Sequence, residues 1–270
     1  MKKIIFTSAA VTSLAAGLFC YTNMSKEEIL HASGKMTEEN QKTVYEVETK
    51  LSKNPPTNVK ASYKKAEPEK VILDAPIINQ LPELPRGCEV TSLTMLLQYA
   101  GVDVNKETLG KEIKRDPTPR TVKNGVTHFG NPNDGFVGDM YAFDTAGYGV
   151  YHGPIAELAE KYLPHRIVDF SGQDFEKIFL FIDAGTPVWV INNAMFDEIS
   201  SEYFKTWETP SGPISITMKE HSVLITGYDK EYIYFNDPLS GIKNDKAPIE
   251  QFKKGWEQMG KQAVSYSIQD

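Results

Sequence analysis

From Cys88 to Ala100 the chain is apolar around most of a helical circumference: Val90, Leu93, Met95, Leu96, Leu97 and Tyr99 leave no broad polar stripe. A helix of this kind has to be enclosed by other elements, because a surface helix needs a polar face. Gly101 suits its C-terminal cap. The segment predicts a helix buried in the middle of the fold, with Cys88 in its first turn, directly after the loop Leu84-Pro85-Arg86-Gly87.

What that cysteine is for depends on where the chain works. Met1-Lys2-Lys3 is a positive start, Ile4 to Phe19 is apolar or small throughout, and Tyr21-Thr22-Asn23 is polar. Residues 1–23 thus read as a signal peptide or an uncleaved signal anchor. The run of 16 residues falls below the ~20 that usually span a bilayer, which favours cleavage. Ala15-Ala16-Gly17 offers small residues for processing, and bulky Phe19 argues against lipid attachment at Cys20. The expected location is secreted or at the cell surface, with membrane contact only through an uncleaved N-terminal segment. Without the leader, Cys88 is the one cysteine left. A lone thiol outside the cell is either a small buried hydrophobe or a reactive group.

Residues 24–70 carry 9 Lys and 8 Glu, few large apolar residues, and breakers at Pro55, Pro56 and Pro68. Such a segment cannot bury enough surface to fold alone, so it reads as a flexible charged stalk. The folded domain is then 71–270, a normal size for a single core. Taking the 11 basic and 8 acidic residues of the first 70 from the totals of 29 and 36 leaves 18 against 28, a net charge of −10. That excess of acid argues against nucleic acid as a partner. No GxxxxGK[ST] loop or GxGxxG fingerprint supports nucleotide chemistry.

Within the domain the pattern is α+β, helices early and strands late. Further helices are expected at Glu107 to Lys114, Pro154 to Tyr162 and Gln173 to Ala184. The stretch from Asp116 to Gly153, rich in Gly, Pro, Asn and Asp, is too long for a plain connector and reads as a functional loop. Strands are expected at Val188 to Ile191, His221 to Tyr228 and Tyr232 to Asn236, the last two joined by the turn Asp229-Lys230-Glu231. Antiparallel pairing about that turn brings His221 beside Asp237 and Pro238, give or take one residue of register, since neighbouring strands lie ~4.8 Å apart.

These groups suit one chemistry. A thiol at a helix N-terminus, next to an imidazolium, is expected to have its pKa lowered and to become a nucleophile. His221 would be the base and later the acid, Asp237 would fix the imidazole tautomer, and an amide such as Gln80 would join the Cys88 N–H in holding an oxyanion. The structural alternatives are a buried inert cysteine, a rim histidine and a strand-ending Asn-Asp-Pro.

Asn79-Gln80-Leu81-Pro82-Glu83-Leu84-Pro85-Arg86-Gly87-Cys88-Glu89-Val90-Thr91-Ser92-Leu93, Glu220-His221-Ser222-Val223-Leu224-Ile225-Thr226-Gly227-Tyr228-Asp229 and Asn236-Asp237-Pro238-Leu239 resemble the C39-like cysteine peptidase family of bacteria. The resemblance covers about 71–265, including Gly135 to Met140. It implies a papain-like fold, a central buried helix packed on an antiparallel sheet, and catalytic Cys88, His221, Asp237 and Gln80. Two departures accompany it. In transporter-fused members the glutamine lies six residues before the cysteine and a glycine follows, whereas here the gap is eight and Glu89 follows. Asn79 is therefore a second candidate for the oxyanion donor. Without a transporter portion, leader-peptide trimming does not carry over, and the likeness is to a freestanding, exported branch.

The implied activity is hydrolysis of peptide bonds in a peptide or protein substrate; a papain-like module that binds without cleaving and a cell-wall peptide hydrolase are the alternatives. No cofactor is expected. No metal is expected either: His128 and His152 read as surface histidines lacking cysteine partners, and Asn131 to Gly135 reads as a turn without an EF-hand's ligand pattern. Trp189 reads as core, and Trp207 as a residue that could line a cleft.

Overall fold

In the computed structural model the described residues are 70–268. The readings of 1–23 and of 24–70 lie outside them except for Lys70, which is the first residue of a strand rather than of a flexible stalk.

Strand β1 (Lys70–Ile72) leads through an extended loop to α1 (Cys88–Tyr99) and α2 (Lys106–Glu112). The long segment that follows holds four short strands, β2 (Arg115–Asp116), β3 (Thr121–Lys123), β4 (Val126–His128) and β5 (Phe136–Val137). Next come α3 (His152–Tyr162), β6 (Ile167–Asp169), α4 (Glu176–Asp183) and β7 (Val188–Asn193). Two hairpins follow, β8 (Phe204–Thr209) with β9 (Gly212–Thr217), and β10 (Glu220–Asp229) with β11 (Tyr232–Asp237). The described chain closes with β12 (Ile242–Pro248), α5 (Ile249–Gln258) and β13 (Ala263–Tyr266).

Seven strands make the main sheet, in the order β12-β11-β10-β7-β13-β6, with β1 paired to the far end of β10. Every pair in it is antiparallel. One face carries α1: Val90, Leu93, Leu96 and Leu97 share a core with Trp189, Ile191, Leu224 and Val264. The other face carries α4 and α5, whose Ile178, Ile182, Phe252 and Trp256 pack with Val190, Val223, Ile225 and Phe235. Ten consecutive residues of α1, Cys88 to Leu97, are buried. Each of its leucines contributes roughly 1.5–3 kcal/mol of transfer free energy, which is why the helix sits where it does. Trp189 also donates through Nε1 to the Glu89 carbonyl at 2.9 Å, pinning the first turn of α1 to the sheet.

The expected hairpin register is present: Leu224 stands opposite Asn236 and Ile225 opposite Phe235, and a bulge between Ile225 and Gly227 moves the remainder by one residue. The 116–153 segment is more ordered than a bare loop. His128 in β4 stands opposite Glu208 in β8, and Trp207 is buried against Phe129 and Tyr148 rather than lining a cleft. Helix α5, strands β12 and β13 and the β8–β9 hairpin have no counterpart in the sequence reading. Among the described residues no helix is long and apolar enough to cross a membrane.

Candidate active site

The loop before α1 is built to fix its end. Gly87 donates to the Leu84 carbonyl at 2.9 Å, and a Cβ at position 87 would lie 2.5 Å from that of Leu84, so only glycine fits the turn. Arg86 clamps this loop to the long segment, donating to the carbonyls of Asp139 (3.1 Å), Ala142, Phe143 (3.1 Å) and Thr145 (2.9 Å). Further back, the Gln80 N–H donates to Pro238 O at 2.8 Å. The oxyanion-donor candidate is thereby tied to the residue that follows Asp237.

His221 and Asp237 come together as expected. His221 Nε2 and Asp237 Oδ1 are 2.7 Å apart, and both residues are buried. Asp237 Oδ1 also accepts from the Leu239 N–H at 2.9 Å. Burial opposes ionisation of Asp237, but the His221 bond, the imidazole's charge, and bonds from Ser240 and Leu239 outweigh it and hold the carboxyl down at about 2. The Phe196 ring centroid lies 6.1 Å from that of His221. With Nε2 engaged by the carboxylate, Nδ1 is the ring nitrogen left for a substrate proton.

Gln80 is the buried amide, at 3% exposure. Its Nε2 donates one hydrogen to the Pro85 carbonyl at 2.8 Å, which fixes the amide orientation and leaves the second hydrogen. Its Oε1 is sealed off without a partner. Asn79 instead accepts from the Leu81 N–H through Oδ1 at 2.8 Å, and its amide is the nearest neighbour of Gly241. Of the two candidates, Gln80 is the one with a free buried amide hydrogen. Lys106, also buried, holds this loop from α2, donating to the carbonyls of Asn79 (2.6 Å) and Gln80 (3.1 Å) and to Glu83 Oε2 (2.7 Å).

Cys88 opens α1, so its N–H has no intrahelical acceptor. Its thiol departs from expectation in two respects. Sγ donates to Glu89 Oε2 at 3.4 Å, and no hydrogen bond joins it to His221. Burial pushes the thiol pKa well up rather than down, with the carboxyls of Glu89 and Glu220 adding to the rise. The helix N-terminus is present, but two neighbouring acids and desolvation outweigh it. Alternation along β10 accounts for part of this. Leu224 joins the α1 core while Val223 and Ile225 join the opposite one, so Glu220 and Ser222 share the α1 face, and His221, at the strand's end, is turned with Val223 toward Phe196 on the other.

Glu89 and Glu220 are the residues the sequence reading left without a role. Glu89 is fully buried and its Oε1 accepts from the Val150 N–H at 2.7 Å. Burial raises it to about 7, and burial together with Glu89 pushes Glu220 well up. The available signal was an acidic residue on a helix that is otherwise uncharged and lacks a broad polar stripe. Elsewhere, His152 pairs with Asp169 at 2.5 Å, both partly exposed.

The model of the Peptidase_C39 like family matches residues 72–264. The chain belongs to that family. The uncharacterized protein YvpB of Bacillus subtilis (strain 168) is 46% identical to this chain over 194 residues, covering 71% of this chain and 74% of YvpB. A crystal structure from Bacillus anthracis, provisionally described as a C39-like peptidase, is 50% identical, covers 75% of this chain and 100% of that one, and superposes with a TM-score of 0.70. The papain-like fold implied by the sequence resemblance is thus the fold of this chain, with α1 buried on an antiparallel sheet.

Proposed function

We propose that the protein is a cysteine peptidase acting outside the cytoplasm, secreted or tethered at the cell surface, with Cys88 as nucleophile, His221 as acid and base, Asp237 as its orienting carboxylate and Gln80 as oxyanion donor. The observation that carries this is the buried His221–Asp237 pair at 2.7 Å. It holds the imidazole through Nε2 and leaves Nδ1 to accept a proton, beside the strand residues that flank the thiol.

The cycle starts when the thiol leaves Glu89 and the His221 ring swings past the end of β10 to meet it, a movement of the kind that tightens catalytic contacts on substrate binding. Nδ1 takes the Sγ proton, and the thiolate attacks the carbonyl carbon of the scissile bond. The oxyanion accepts from the Cys88 N–H and from the second amide hydrogen of Gln80. Nδ1–H then protonates the departing amine. A water deprotonated by the same nitrogen cleaves the thioester and restores the thiol.

A second reading keeps the fold without the reaction. The thiol's bond to Glu89 and its raised pKa favour a papain-like module that holds a peptide and does not cut it. Cleavage of a peptide library by the intact protein, compared with Cys88→Ala, separates the two. Product only from the wild type supports the peptidase; product from both proteins, or from neither, removes it.

A further inference from the structure

The carboxylates of Glu89 and Glu220 and the sulfur of Cys88 form a cluster that the peptide-cleaving cycle does not use. One oxygen of each carboxylate and the sulfur all lie within 4.8 Å of one another. Sγ and Glu89 Oε2 are already 3.4 Å apart, close to the about 3.6 Å that separates sulfur and oxygen ligands on one tetrahedral zinc ion. Glu220 Oε1 is sealed from solvent and has no partner. No lysine or arginine among the described residues hydrogen-bonds either carboxylate. Gly149 leaves the space they need: a Cβ there would lie 2.1 Å from Glu89 Oε1 and 3.1 Å from Glu220 Oε2. A buried carboxyl, a half-buried one beside it and a thiol form a ligand set with one sealed, unpartnered oxygen and no protein cation.

We propose that Cys88, Glu89 and Glu220 bind a thiophilic divalent cation of the Zn2+ type, and that the bound ion blocks Cys88. A sulfur with two oxygens favours zinc or cobalt over calcium or magnesium, which take all-oxygen sets. On binding, the Sγ–H proton and any proton held by the two carboxyls pass to solvent and the metal–ligand bonds take their place, so the free thiol is lost until the ion leaves. A fourth coordination position stays open to water. The site stands on these three side chains and not on the peptidase reading.

Co2+ titration of the reduced full-length chain in a Cys20→Ser background tests it, since cobalt reports sulfur ligation and tetrahedral geometry in its spectrum. The expected result is a thiolate-to-metal charge-transfer band with tetrahedral d–d bands, displaced by Zn2+ and absent from Cys88→Ser. Glu89→Gln and Glu220→Gln should each weaken binding by at least about tenfold, with melting curves reporting that they fold. Zn2+ should protect Cys88 from iodoacetamide in the wild type and not in Glu220→Gln. No charge-transfer band, or wild-type affinity in both glutamine variants, overturns the proposal; the latter marks ordinary binding to one thiol. Cobalt binding without peptide cleavage would keep the metal site and remove the peptidase, and cleavage without cobalt binding would do the reverse.

Discussion

At the scale of single residues the site depends on Asp237. Its carboxyl is held at about 2 against a usual 3.8. A group depressed on folding contributes its stabilisation above the unfolded pKa and loses it as pH falls through the folded one. The His221–Asp237 pair should therefore stabilise the fold fully above about pH 4 and progressively less toward pH 2, by on the order of 1–2 kcal/mol. Urea unfolding of wild type and Asp237→Asn across that range reads this out, and a gap between them that fails to narrow on acidification contradicts it. The same substitution should cut peptide hydrolysis by a factor on the order of 10⁴, since the imidazole loses its enforced tautomer. Cys88, His221 and Asp237 were legible in the sequence because each is tied to a local signal: a helix start, a strand start and a strand end either side of a short turn. The direction of the thiol's pKa was not: burial of the thiol raises it most, Glu89 next to it adds to the rise, and Glu220, far off in sequence, adds more only because β10 packs on α1.

At the scale of elements the 79–87 loop is the component that α2 and the long segment hold from both sides. Lys106 donates to two of its carbonyls and to Glu83, and Arg86 reaches carbonyls between 139 and 145. Lys106→Met should loosen Gln80 while leaving the Cys88 end of the loop clamped. The expected outcome is a fall in kcat of about tenfold or more with KM changed little, because an oxyanion donor acts chiefly in the transition state, partly restored by Lys106→Arg. A fall seen only in KM would assign Lys106 to substrate binding instead. The sequence signalled α1 clearly, since ten buried residues in a row leave no second placement. It signalled α5 too, through Phe252, Trp256 and Met259 at helical spacing, but its many charged residues masked that stripe. Strand β13 is four residues long and buried throughout, a length at which alternation carries no information.

At the scale of the whole molecule, two cores on either side of one sheet support the site. Trp256 is fully buried in the second core, its Nε1 donating to Gln262 O at 2.9 Å, and its ring meets Phe175 at 5.3 Å. Trp256→Ala should cost about 3–5 kcal/mol, read as a lower urea midpoint at unchanged slope; a loss below 1 kcal/mol would mean that α5 is not integral to the domain. The fold was accessible from sequence because the chain's motifs and their order match a family, and the His221–Asp237 contact because a short turn joins their strands, whereas the acidic pair beside Cys88 emerges only when α1, residues 149–150 and β10 meet.

The central claim is that Cys88 reacts in partnership with His221 even though the two are not hydrogen-bonded in this structure. Labelling by a panel of peptidyl acyloxymethyl ketones, with chelator present and the adduct located by mass spectrometry, tests it most directly. A peptide-dependent adduct on Cys88 that is lost in His221→Ala and absent from the unfolded chain is the predicted result. Equal labelling of wild type and His221→Ala would contradict it.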